Sequence, residues 1–227
     1  MREKAPLAPI ETRNATPSSR DKILDVAEAL FSQRGYAGVG LRQVADAAGL
    51  GKSSLFHHFR SKAALYLAVL ARVMSRIDAT VSSALTSSGS HVERLDRVVE
   101  AFVDAMVEHP TTPRLLLRGL FEDDDLPDDA QPEAQVFESR LASLVTRLEQ
   151  LIEEGVVAGA FRTASPAHTL QTLIGAVVYH FASGEFGEGL LGGPLFTAEA
   201  VRRRKQEIVT FMHHGLMAGA PIGGEDS

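Results

Sequence analysis

Between residues 41 and 59 the chain reads LRQVADAAGLGKSSLFHHF, with Lys52, Ser53, Ser54, His57 and His58 inside one seven-residue stretch. Hydroxyls, an ammonium and imidazoles are groups that donate to phosphate oxygens or to the edges of nucleobases. Arg42 lies just ahead of them and Lys62 just behind. The paired histidines do not make a metal site, because neighbours on a helix point about 100° apart and cannot chelate together. His213 and His214 fail the same test. The acidic run EDDDLPDD at 122–129 lacks the glycine at six and glutamate at twelve of a calcium loop, and reads as a solvated loop. The absence of cysteine removes disulfides, thiolate metal sites and thiol nucleophiles together. With no nucleophile–base pair and no glycine-rich phosphate loop, neither an enzyme, a metal nor a cofactor is expected. Arg202, Arg203, Arg204 and Lys205 stand beside Val201 and Ile208 on a late helix, and read as a solvated face or an interface rim.

The formal net charge of −6 is the wrong sign for a polyanion binder, but it is unevenly spread. Residues 20–76 carry nine Lys/Arg against four Asp/Glu, a net of +5, and residues 77–227 carry eleven against twenty-three, a net of −12. A basic head on an acidic body implies that only the head meets a polyanion. At 227 residues and 44% hydrophobic the chain can bury a substantial core. No apolar run approaches a bilayer span and no apolar stretch follows Arg2 and Lys4, so a cytoplasmic location is expected.

The elements that would position the polar cluster are helices. Residues 1–19, with Pro6, Pro9 and Pro17, read as a disordered arm. A first helix starts near Ser19, with Ile23, Val26, Ala27, Leu30 and Phe31 on one face and Gly35 as its stop. A short helix on Leu41, Val44, Ala45 and Ala48 ends at Gly49, and another runs from Lys52 to about Phe59. Two short helices joined by a turn with Gly49 and Gly51 make a helix-turn-helix, in which Leu50 fills the corner and Leu55 and Phe59 point inward. Ser61 caps a long helix from Lys62 to the Ser/Gly stretch at 86–90. Further helices are expected over 91–108, 114–121, 132–154, 166–181 and 197–217, with an acidic loop at 122–131 and a flexible tail at 221–227. No segment alternates with period two, so the fold class is all-α: an N-terminal three-helix helix-turn-helix domain (20–66) joined to a C-terminal helical domain (67–220).

Residues 20–70 resemble the DNA-binding domain of the TetR family of bacterial repressors, through ILDVAEALFSQRGY, LRQVADAAG, KSSLFHHF and SKAALYLAVL in order and spacing. The segment EGVVAGAFRTASP at 154–166 resembles the glycine-containing turn that precedes a dimer-forming helix in that family. Gly40, Gly51 and Phe56 depart from it, standing where the family usually has hydroxyl residues. The resemblance implies a homodimer through the last two helices that binds a palindromic operator in double-stranded DNA. It implies contacts from Arg42, Lys52, Ser53, Ser54, Phe56, His57 and Lys62. It also implies a small-molecule effector in the helical body, and the apolar stripes there suggest a largely hydrophobic one. Phe102, Met106, Leu117, Phe121, Phe137, Leu141, Leu144, Val177 and Phe181 are the candidate lining, with His180 or Tyr179 as a polar contact and Arg114 and Arg118 available to an anionic headgroup. The competing reading is a helical small-molecule-binding or scaffold protein without specific DNA binding; it accounts for the body but not for the basic head.

Overall fold

In a computed structural model, residues 18–121 and 131–217 are described. Among them ten helices follow one another: α1 Ser19–Arg34, α2 Leu41–Ala47, α3 Lys52–His58, α4 Lys62–Leu85, α5 His91–Glu108, α6 Thr112–Phe121, α7 Gln131–Val157, α8 Pro166–Ala182, α9 Glu185–Leu191 and α10 Ala198–Leu216. Among the described residues there is no strand, only an isolated bridge between Phe161 and Met217.

The helix ends follow from side chains that satisfy free backbone N–H groups. Ser18 accepts from the Asp21 N–H, Ser61 from that of Ala64, Ser165 from that of His168 and Thr197 from that of Ala200. Ser90 and Glu93 form a reciprocal capping box at the start of α5. Ser18 and Ser19 therefore belong to α1 and not to the expected arm, whose other residues, 1–17, lie outside the described ones. The tail at 221–227 and most of the acidic loop, 122–130, lie outside them too.

Helix α4 runs unbroken across the boundary expected between residues 66 and 67. Its first half packs under α1, and its length lies against α5 and α7. One continuous core runs from Ile23, Phe31, Val44 and Leu55 in the head through Leu65, Val69 and Val73 to Val99, Met106 and Val177 in the body. Three expectations change. Helix α6 begins at Thr112, two residues early, and α7 continues past Glu154 to Val157. Helix α9 was not expected at all.

Candidate nucleic-acid interface and internal cavity

The head builds its polar face from the turn between α2 and α3. Gly49, at φ +67, takes the left-handed conformation that ends α2 and redirects the chain. Leu50 is half-buried at the corner, while Leu55 and Phe59 are buried. With one face of α3 fixed inward, the other faces out: Lys52, Ser53, Phe56 and His57 are exposed, and Ser54 and His58 are half-buried. Gly40 and Gly51 cap their helices without a side-chain hydrogen bond; at Gly40 the backbone N–H donates to Gln43 Oε1 at 3.0 Å. No Asp or Glu occurs between residues 47 and 77, so α3 and the turn after it carry only positive formal charge.

The cations of this face differ in freedom. Arg42 reaches Asp46 at 3.8 Å with both side chains well exposed, a contact of little stability. Lys52 Nζ lies 5.6 Å from the Phe56 ring centroid. Lys62 is more constrained, with Nζ 4.2 Å from the Tyr36 ring centroid and donating to the Ala37 carbonyl at 3.5 Å. Arg20, which the sequence did not single out, lies 5.2 Å over the Phe59 ring.

The body holds a cavity of about 50 Å³ lined only by apolar side chains. Helix α4 supplies Met74, Ile77 and Val81; α5 supplies Val98 and Phe102; α6 supplies Leu116. Leu141, Leu144 and Leu148 come from α7, and Leu170, Leu173, Ile174 and Val178 from α8. Three of the expected lining residues thus meet here: Phe102, Leu141 and Leu144. Met106, Phe137, Val177 and Phe181 are buried but do not border the cavity, and Leu117 is exposed. The side chain of Phe121 lies outside the described ones. Periodicity identified the buried faces, but it could not tell which buried residues border a void.

His180 lies elsewhere, at a second hollow of about 580 Å³ between α8, the α9–α10 connection and α10, which Arg204 also borders. Tyr179 is exposed. Burial first, and then the Arg204 guanidinium, depress the His180 imidazole to about 4, and its buried Nε2 has no hydrogen-bond partner. The folded chain therefore binds this proton less readily than the unfolded chain, where the ordinary value of 6.5 applies. The consequence is a loss of stability as pH falls from 6.5 towards 4. Urea midpoints at pH 7 and pH 5 should separate more in the natural chain than in His180→Gln; equal separations would show that His180 is solvated in the folded state.

Exposed apolar side chains lie on and between α8 and α10: Tyr179, Phe186, Leu190, Leu191, Phe196 and Phe211. Large apolar side chains left in solvent in this number favour burial against another molecule. No helix among the described residues is long and apolar enough to cross a membrane, and no acidic or histidine cluster among them could hold a metal ion.

Two family models match. "Bacterial regulatory proteins, tetR family" covers residues 23–69, and "Tetracyclin repressor-like, C-terminal domain" covers residues 92–212. The HTH-type transcriptional activator FasR of Mycolicibacterium smegmatis is 37% identical over 124 residues, which are 54% of this chain and 55% of FasR. The chain thus matches little more than half of that relative's length. The solved structure of the ketosteroid transcriptional regulator KstR2 of Mycobacterium tuberculosis superposes with a TM-score of 0.69 at 22% identity, covering 89% of this chain and 96% of that one. AibR, solved with isovaleryl coenzyme A and operator DNA, gives 0.68 at 20% identity over 86% and 97%.

Proposed function

This chain belongs to the TetR family of bacterial regulatory proteins, and from that membership we propose that it is a homodimeric, cytoplasmic transcriptional regulator, a repressor released from a palindromic operator by a small, largely hydrophobic molecule. The observation that carries the DNA reading is the α3 face: Lys52, Ser53, Ser54, Phe56 and His57 on one short helix, flanked by Arg42 and Lys62, with Leu55 holding the opposite side. A helix presented in this way enters the major groove with its side chains at base edges. The exposed apolar side chains of α8–α10 support pairing of two copies, which sets two recognition helices on one side of the duplex. Half-sites then lie about one helical turn, or a multiple of it, apart.

The experiment is duplex selection from a random pool, followed by titration at several salt concentrations. Each phosphate contact releases counterions, so log K should fall with log salt with a slope of about −0.9 per contact. A monomer in sedimentation, or a pool that yields no preferred sequence, overturns the reading. Two variants separate positioning from readout. Lys62→Ala should weaken every duplex and flatten the salt slope by about one contact. His57→Ala should instead change preference at one or two base pairs, by about 1–3 kcal/mol for each lost pairing. Uniform weakening by both variants would show that α3 is turned differently in the groove.

The effector reading rests on the wholly apolar cavity. Its volume of about 50 Å³ is far below the roughly 300–1,000 Å³ of ordinary ligand pockets. A ligand larger than this void must therefore part the helices that line it. Parting them displaces α4, which also carries the head. That is how occupancy changes the separation of two recognition helices, provided the ligand binds the displaced state more tightly. KstR2 as a ketosteroid regulator, and AibR with its isovaleryl coenzyme A, support an acyl or steroid-like body on the ligand. Arg114, exposed on α6 with its guanidinium beside Gly184, is the cation we assign to an anionic headgroup.

A further inference from the structure

Glu28 is a carboxylate in the wrong place for an ordinary surface helix. It lies on α1, in the head, and is only 5% exposed. Arg72 Nη2 donates to its Oε2 at 2.6 Å, and Arg76 Nη2 to its Oε1 at 2.6 Å. Thr111 Oγ1 donates to the same Oε1 at 2.8 Å. Arg72 also holds Asp25 Oδ1 at 2.7 Å. One carboxylate thus joins three elements that lie far apart in sequence: α1, the middle of α4, and the turn between α5 and α6. Burial pushes the Glu28 carboxyl up, but the hydrogen bonds from Arg76 and Thr111 and the Arg76 charge outweigh it, so it titrates below its ordinary value and is ionised at neutral pH.

Each partner is tied to the cavity wall. Arg72 and Arg76 flank Met74 on α4, and Met74 and Ile77 line the cavity. The Thr111 carbonyl accepts from the Leu115 N–H, which fixes Thr111 to the first turn of α6, and Leu116 on that helix also lines the cavity. A shift of α4 relative to α6 cannot leave all three hydrogen bonds to Glu28 intact, because charge-assisted bonds of this length tolerate little displacement.

We infer that Glu28 is a positioning residue that pins the angle of the DNA-binding head to the relative placement of α4 and α6, so that movement at the cavity wall is read out at α3. The pin deepens the regulator reading above by naming the contact through which body and head are coupled. The contacts are made in this structure, and a displacement of α4 against α6 that broke them would free α1 from the body. The pin commits α1, whose buried face carries α3, to follow the body.

The test uses the full chain, which has no cysteine of its own. Gln33→Cys on α1 and Gln150→Cys on α7, both exposed, take nitroxide labels that report the head–body distance. Dilution with unlabelled protein leaves only distances within one protomer. Glu28→Gln removes the charge with little change of shape, and Thr111→Val removes one hydroxyl while leaving both arginine contacts. Both variants should broaden and shift the distance distribution, Glu28→Gln the more, and Thr111→Ser should restore it. Should Glu28→Gln melt the head, the Thr111 pair of variants still decides. A residue that served stability alone would lower the melting temperature of Thr111→Val and leave the distribution narrow. A distribution in Thr111→Val that coincides with that of the natural chain overturns the proposal. The measurement needs neither operator nor effector: failure of the natural chain to select any duplex would end the regulator reading and leave the distance result standing.

Discussion

Leu55→Ala is expected to destabilise the head by about 2–5 kcal/mol, the range for truncating a fully buried leucine, and to abolish operator binding with it. Leu55 is completely buried and is the side chain by which α3 enters the core that it shares with Ile23, Val44 and Phe59. Helix α3 has seven residues, too few to persist without tertiary packing. Once the anchor is gone, Lys52, Ser53 and His57 no longer share a fixed orientation. The chain offers a direct optical readout, having no tryptophan and only three tyrosines. Two of these, Tyr36 and Tyr66, cluster with Phe31 at ring-centroid distances of 5.0–6.4 Å. Tyrosine emission during urea unfolding therefore reports the head, and its midpoint should fall in Leu55→Ala. Leu55→Met, which conserves volume, should cost less than about 1.5 kcal/mol and retain binding. An alanine variant with the natural midpoint and the natural operator affinity would mean that α3 is held by something other than this side chain.

What could be read in the sequence was whatever local periodicity and capping decide. Ile23, Val26, Ala27, Leu30 and Phe31 repeat at helical spacing, and α1 follows; Ser61 and the Ser/Gly stretch at 86–90 bracket α4 to the residue. Helix α9 was not legible for a physical reason. Its sequence, EFGEGLL, is seven residues with two glycines, and its large apolar side chains, Phe186, Leu190 and Leu191, point outward. Nothing in its own periodicity marks a buried face, so only tertiary packing makes it a helix. The cavity failed differently. Phe102, Leu141 and Leu144 border it, whereas Met106 and Val177, on the same stripes, are wholly buried in close-packed core. Apolar spacing reports that a side chain is inside and says nothing of whether its far end meets another atom or a void. Glu28 shows a third limit. A glutamate at a polar position of an amphipathic helix looks solvated, and its burial depends on Arg72, Arg76 and Thr111, 44, 48 and 83 residues further along the chain. That pairing is set by how α1 lies across α4 and α6, which no local window contains.

The same separation of core from void decides the last expected result. Leu144→Trp should abolish the response to effector while leaving operator binding within a few-fold of the natural chain. Leu144 is nearly buried on α7 and faces the cavity beside Leu141 and Leu148, across from Met74 and Ile77 of α4. An indole there takes the space that an apolar ligand would open. Overpacking costs about 1–3 kcal/mol, which a core of this extent can absorb without unfolding. The indole fills the existing void without parting the helices around it as a larger ligand would, so α4 stays in place and the head keeps its own packing. The new indole is the only tryptophan in the chain, so its emission reports whether it sits in an apolar environment. Release of operator is measured with isovaleryl-CoA, stearoyl-CoA, a ketosteroid and glucose 6-phosphate. At least one of the first three should weaken operator binding by the natural chain by a factor within about 5–150, the usual range of allosteric coupling, and the Trp variant should hold that factor near one. Glucose 6-phosphate should do nothing, because a charged sugar entering this cavity would shed its hydration with no polar partner on the wall. Release by the sugar phosphate alone would refute an apolar effector site. A Trp variant that responds like the natural chain would refute this cavity as the place where the effector binds.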